Sequence, residues 1–124
     1  MVWSLRTSSS EYCSPWTRII LLTPPPVQVI RREKILAERD PPREIDRSFD
    51  RTRAYAETVK EVGVTHNISV VDAWTAIWTA AGQKESALTP FLSDGLHLTD
   101  EGYAVRSHLS QICTRRVIPV PGGV

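Results

Sequence analysis

Apolar residues along this chain gather in short blocks whose period changes from one block to the next. Ile19-Ile20-Leu21-Leu22 is a continuous apolar run, followed by Thr23 and halted by Pro24-Pro25-Pro26. Such a run suits a strand buried on both faces of a parallel sheet, ended where prolines cannot donate to the ladder. Between Asp46 and Val62 the apolar positions Phe49, Ala56, Val59 and Val62 fall near one helical face, and Gly63 is the expected C-terminal stop. Asn67-Ile68-Ser69-Val70-Val71-Asp72 is short and β-rich, so strand, crossover helix and strand predict a right-handed βαβ unit. Asp72 can cap the next helix, in which Trp74, Ile77, Trp78 and Ala81 repeat at spacings of three and four. Thr99 can cap a last helix, where Asp100 and Glu101 suit the positive end of the dipole and Ala104, Leu109, Ile112 and Cys113 tend to one side.

The segments between these blocks carry less pattern. Residues 1–17 mix Ser, Thr, Pro and isolated aromatics without a period and read as irregular. From Val27 to Ile45 the chain is rich in charge and holds Pro41-Pro42, predicting an excursion with one short helix from Arg31 to Glu38. Arg31-Arg32, balanced by Glu33 and Glu38, reads there as a solvated face. The organisation expected is an irregular segment 1–17, one α/β domain over 18–115 and a flexible tail 116–124.

Composition narrows the partners. A chain of 124 residues with 41% hydrophobic content suits one soluble domain. A net charge of +1 gives no one-sided field of the kind that gathers nucleic acid or anionic membrane, so neither partner is expected and a small molecule is. Cys13 and Cys113 show no zinc spacing and no disulfide framework, and free thiols favour a reducing, cytoplasmic setting. The apolar runs are too short to cross a bilayer, and the first residues form no signal-like apolar segment.

Candidate chemistry concentrates in Ser93-Asp94-Gly95-Leu96-His97-Leu98-Thr99-Asp100-Glu101-Gly102-Tyr103, where a carboxylate stands three residues before an imidazole. An Asp that accepts from one imidazole nitrogen fixes the tautomer and leaves the other free to take a proton from a hydroxyl. As a bare pair, Asp94 and His97 could equally stabilise a turn, and a metal site would need ligand spacing that His66 and His108 do not provide. Asp72 is open to two readings, helix cap or catalytic acid. Trp74 and Trp78 are open to core packing or to a pocket wall.

Ile19 to Pro26, Tyr55-Ala56, Val70-Val71-Asp72-Ala73-Trp74, Leu92 to Leu98 and Glu101-Gly102-Tyr103, in this order, resemble the C-terminal half of an SGNH (GDSL-type) hydrolase, and most of all the isoamyl acetate-hydrolysing esterase group. The likeness covers about residues 17 to 113. It implies the C-terminal part of a three-layer, flavodoxin-like α/β/α sandwich with a short parallel sheet. It also implies His97 as general base and Asp94 as its orienting carboxylate in the hydrolysis of small carboxylic esters, without metal or organic cofactor. The family's Gly-Asp-Ser nucleophile segment does not occur, and its oxyanion-hole Gly and Asn have no counterpart. The serines from Ser8 to Ser110 lack a Gly-rich strand-to-helix turn. The chain is therefore expected to represent the last strands of the sheet, with an open edge, marginal stability and little esterase activity alone. The competing expectations are a non-catalytic interaction module that pairs through that edge with another chain, and an incomplete reading frame with no role of its own.

Overall fold

A computed structural model of the chain describes residues 18–117, with side chains as far as Leu109. The expected irregular start, Cys13, the Cys113 and Ile112 side chains and the end of the tail lie outside the described residues. Two strands and four helices follow in the order β1 (Ile20–Leu22), α1 (Val29–Ala37), α2 (Phe49–His66), β2 (Ser69–Val71), α3 (Ala73–Ala80), a 3-10 turn (Glu85–Leu88) and α4 (Asp100–Val117).

The strands pair in parallel, with Ile20 opposite Ser69, Leu21 opposite Val70 and Leu22 opposite Val71. Thr23 N still donates to Val71 O at 3.0 Å, and the three prolines that follow have no N–H to continue the ladder. Parallel neighbours need a long crossover, which the α1 and α2 segment supplies. Among the described residues the other edge of β1 has no strand beside it; Leu22, its last residue, and Ile19, just before it, are exposed.

Helix α2 begins where Ser48 Oγ accepts from Arg51 N at 3.4 Å, with Asp50 in the first turn complementing the dipole. It buries Thr52, Ala56 and Gly63, a stripe close to the predicted face. Gly63 is not its stop. The helix continues to His66 and ends on Asn67, whose φ of 52° supplies the left-handed cap usually given by glycine. Gly63 is needed instead for close approach, since a Cβ there would lie 2.2 Å from Val70 Cγ2 of the neighbouring strand. Packing, and not backbone freedom, explains this glycine.

Asp72 caps α3, its Oδ1 accepting from Thr75 N at 3.1 Å, while its Oδ2 pairs with Lys60 Nζ at 3.4 Å. Of the two readings left open by the sequence, the cap is the one built. Ile77, Ala81, Leu88 and Leu92 form the buried core, with Trp78, Phe91, Leu98 and Val105 packed against it. Trp74 is buried and stacks with Phe49 and Trp78 at ring separations of 5.5 and 5.6 Å, so both tryptophans serve packing. In α4 the inward position is Val105; Ala104, expected on the packed side, is exposed. Thr99 caps α4 as predicted, through its Oγ1 accepting from Gly102 N at 3.2 Å.

Helix α1 starts two residues before its predicted first residue. Gln28 gives it no side-chain cap. Glu85 reaches across from the 3-10 turn, and its Oε1 accepts from Val29 N at 2.6 Å and Ile30 N at 3.3 Å. A remote carboxylate thus satisfies two of the first-turn donors and complements the helix dipole. Among the described residues no helix is long and apolar enough to cross a membrane.

Candidate active site

Leu92 and Leu98 form an isolated antiparallel bridge, and Ser93 N donates to His97 O at 2.8 Å, so the residues between them make a small closed loop. Both leucines point to the core and root the loop there. Within it Asp94 Oδ1 accepts from the backbone N–H groups of Leu96 at 3.0 Å and His97 at 2.8 Å. This short-range turn delivers the imidazole to the carboxylate, with His97 Nδ1 lying 2.8 Å from Asp94 Oδ2. The sequence spacing and the geometry agree: the two residues meet.

Helix α1 holds the loop from the other side. Gln28 N donates to Gly95 O at 2.9 Å, and Gly95 adopts a φ of 80°. A Cβ on Gly95 would stand 2.7 Å from Gln28 O and 2.8 Å from Arg32 N, so glycine is required both for conformation and for contact. Arg31 Nη2 adds a bond to Ser93 O at 2.8 Å.

Arg32 departs from its predicted role as part of a solvated face. Its side chain is 6% exposed, and it donates through Nη1 to Asp94 Oδ2 at 2.8 Å and through Nε and Nη2 to the two oxygens of Asp46 at 3.2 and 3.1 Å. Hydrogen bonding to Asp46 raises the guanidinium pKa further above its ordinary value, against the opposing effect of burial. The same bond from Arg32 holds Asp46 below the usual carboxylate range. Nothing local in the sequence identifies this role, because both partners are distant along the chain and Glu33 and Glu38 are the nearer acids.

The protonation of the pair follows from these contacts. Arg32 can only donate, so Asp94 Oδ2 accepts, and the carboxylate is ionised. Partial burial opposes that charge, but the N–H groups of His97 and Leu96, with the imidazole, outweigh it and bring Asp94 to about 2. An ionised carboxylate offers no proton to Nδ1; the ring nitrogen therefore donates, and Nε2 is the nitrogen that a neutral imidazole would leave without a proton. The imidazole is 69% exposed, whereas Asp94 is 21% exposed. Beside the loop lies an open cleft of about 420 Å³ bordered by Pro24, Pro25, Val27, Thr52, Tyr55 and Leu96. Among the described residues no group of three or more His, Cys, Asp or Glu side chains is arranged to hold a metal ion.

A short parallel sheet with helices, and a loop carrying an Asp–His pair against the segment that leaves β1, define an α/β protein with its candidate chemistry beyond a strand end. The model of the GDSL-like lipase/acylhydrolase family, the SGNH hydrolases, matches residues 12–105, and the chain belongs to that family. A GDSL esterase/lipase of Arabidopsis thaliana is 35% identical over 98 residues, which cover 75% of this chain and 38% of that protein. The esterase domain of the ORF1 protein from the zebrafish ZfL2-1 retrotransposon has a similar fold, with a TM-score of 0.58 at 19% identity over 91% of this chain and 54% of that one. The chain thus spans well under two thirds of either protein's length.

Proposed function

We propose that this chain supplies the general base and its orienting carboxylate to the hydrolysis of a small carboxylic ester. The observation that carries the reading is the 2.8 Å contact from His97 Nδ1 to an ionised Asp94 on a loop whose imidazole faces solvent. His97 Nε2 takes the proton of a serine hydroxyl as it attacks the ester carbonyl, then returns it to the leaving alcohol, while Asp94 steadies the imidazolium. No metal or organic cofactor takes part in this scheme. The cleft beside Leu96, walled by Pro24, Pro25 and Val27 and also by Asp46, Arg47 and Arg51, is of a size to seat one group of a small ester.

The sequence contains no Gly-Asp-Ser segment, and among the described residues the imidazole ring bonds to Asp94 alone. In this reading the nucleophile and oxyanion donors belong to a further polypeptide segment, and the chain alone is silent. Mixing the chain with a family segment that carries Gly-Asp-Ser should create hydrolysis of a chromogenic acetate ester and serine labelling by a fluorophosphonate. His97→Ala should then lower the rate by about three orders of magnitude or more while leaving the fold. An unchanged rate in that variant would remove His97 from the mechanism.

The outer edge of β1, which no described strand covers, together with exposed Leu22 and the adjoining Ile19, supports a second reading, in which the chain pairs through that edge with another strand.

A further inference from the structure

Arg32 is the one buried cation at the dyad among the described residues, and it is held from both ends. Asp46 takes two of its nitrogens at 3.2 and 3.1 Å, leaving Nη1 aimed at Asp94 Oδ2, the same oxygen that receives His97 Nδ1. Asp46 also borders the cleft beside Leu96. The guanidinium is planar, so pairing one side with Asp46 fixes where the remaining N–H points. Two consequences follow for the base. The Asp94 carboxylate cannot swing away from the imidazole without leaving the Nη1 donor of a buried cation unsatisfied. Arg32 and His97 also bond the same Asp94 oxygen, so the guanidinium charge is part of the field that the imidazole faces.

We propose that Arg32, anchored by Asp46, is a positioning residue that fixes Asp94 for His97 and sets the charge that the imidazole faces. The proposal rests on the reading of His97 as the base. Among the described residues the charged groups linked to the imidazole are Asp94 from its own loop, Arg32 from α1 through Asp94, and Asp46 and Arg47 from the connection before α2 through Arg32. Arg47 stands 3.9 Å from Asp46, and Arg31 is committed to the Ser93 carbonyl.

Proton NMR titration of the full chain tests this without any turnover, with the His97 signal assigned by its loss in His97→Ala. Arg32→Gln removes the cation and leaves Asp46 with Arg47 alone at 3.9 Å, so the titration midpoint of His97 should move to higher pH. Asp46→Asn frees the cation from its counter-charge, and the midpoint should move to lower pH. Arg32→Lys keeps the charge but can satisfy only one carboxylate, and its midpoint should stay nearest the native one. In an assembly that hydrolyses ester, Arg32→Gln should lower kcat about tenfold with KM little changed, and the acid limb of the pH profile should follow the NMR midpoint. A purely structural role would loosen the loop in both variants and move the two midpoints in the same direction; that result, or no movement, overturns the proposal. Should Arg32→Gln fail to fold, a displacement to lower pH in Asp46→Asn with near-native behaviour in Arg32→Lys supports the proposal, and a displacement to higher pH or none in Asp46→Asn overturns it. Absence of hydrolysis in every assembly would instead count against the functional reading and leave the titrations standing.

Discussion

Arg32 Nη1 and His97 Nδ1 converge on one atom, Asp94 Oδ2, each at 2.8 Å. The other oxygen, Oδ1, is occupied by the backbone N–H groups of Leu96 and His97. All four partners donate, so every contact made by this carboxylate favours its ionised form.

That saturation makes Asp94 a source of acid sensitivity. Its folded pKa lies near 2 against an ordinary 3.8, despite burial acting the other way. A depressed folded value means that the stabilisation is complete above the unfolded pKa and is lost as pH falls through the folded one. Urea melts should therefore show stability declining between about pH 4 and pH 2. Asp94→Asn should be less stable at neutral pH by about 1–2 kcal/mol, a figure reduced for solvent screening, and should lose most of that acid-side slope. A variant as pH-sensitive as the native chain would show that the decline comes from other carboxylates.

Much of the fold was legible because its signals are local. The apolar run ahead of three prolines, the three- and four-residue spacing from Trp74 to Ala81, and the caps at Asp72 and Thr99 all act within a turn or two of where they stand. The Asp94–His97 geometry was legible for the same reason, being enforced by a turn of i to i+3 span. What could not be read is what distant residues supply. Arg32 finds Asp94 62 positions away, and α1 is capped from Glu85, 56 positions from Val29. Gly63 differs from its expected role for a related reason: a glycine after an amphipathic stretch signals a helix stop, and only the approach of Val70 shows that it is a contact.

The remote cap can be measured directly. Replacing Glu85 by Ala leaves the Val29 and Ile30 amides without their acceptor and should destabilise the chain by about 1 kcal/mol, while Glu85→Gln, which keeps an acceptor and loses the charge, should cost about half that. Hydrogen exchange at these two amides should accelerate more in the Ala variant than in the Gln variant. Equal protection in native and Ala chains would mean that the carboxylate contributes nothing to helix entry.

Gly63→Ala sets helix propensity against packing. In an open helix the change would gain about 1 kcal/mol. Here the new methyl would fall 2.2 Å from Val70 Cγ2 and 3.0 Å from Ile68 O, an overlap that costs about 1–3 kcal/mol. Packing should win, lowering the thermal midpoint. The adjacent Val64→Ala, at a position 84% exposed, should be neutral or slightly stabilising. Combining Gly63→Ala with Val70→Ala should recover part of the loss by removing the first overlap.

The outer edge of β1 yields the last prediction. Leu22 is 42% exposed and Ile19 37%, beside backbone that no described strand covers. An uncovered apolar edge templates pairing with another strand, and a single charge placed on it opposes that pairing. Sedimentation of the native chain should therefore show association that grows with concentration, and Leu22→Lys should shift the population toward monomer. Denaturant melts should show the same dependence, with the native chain gaining stability as concentration rises and the variant not. A native chain that stays monomeric and melts in one sharp, concentration-independent transition would show that two strands and their helices suffice, and would remove the support that this edge gives to the interaction reading.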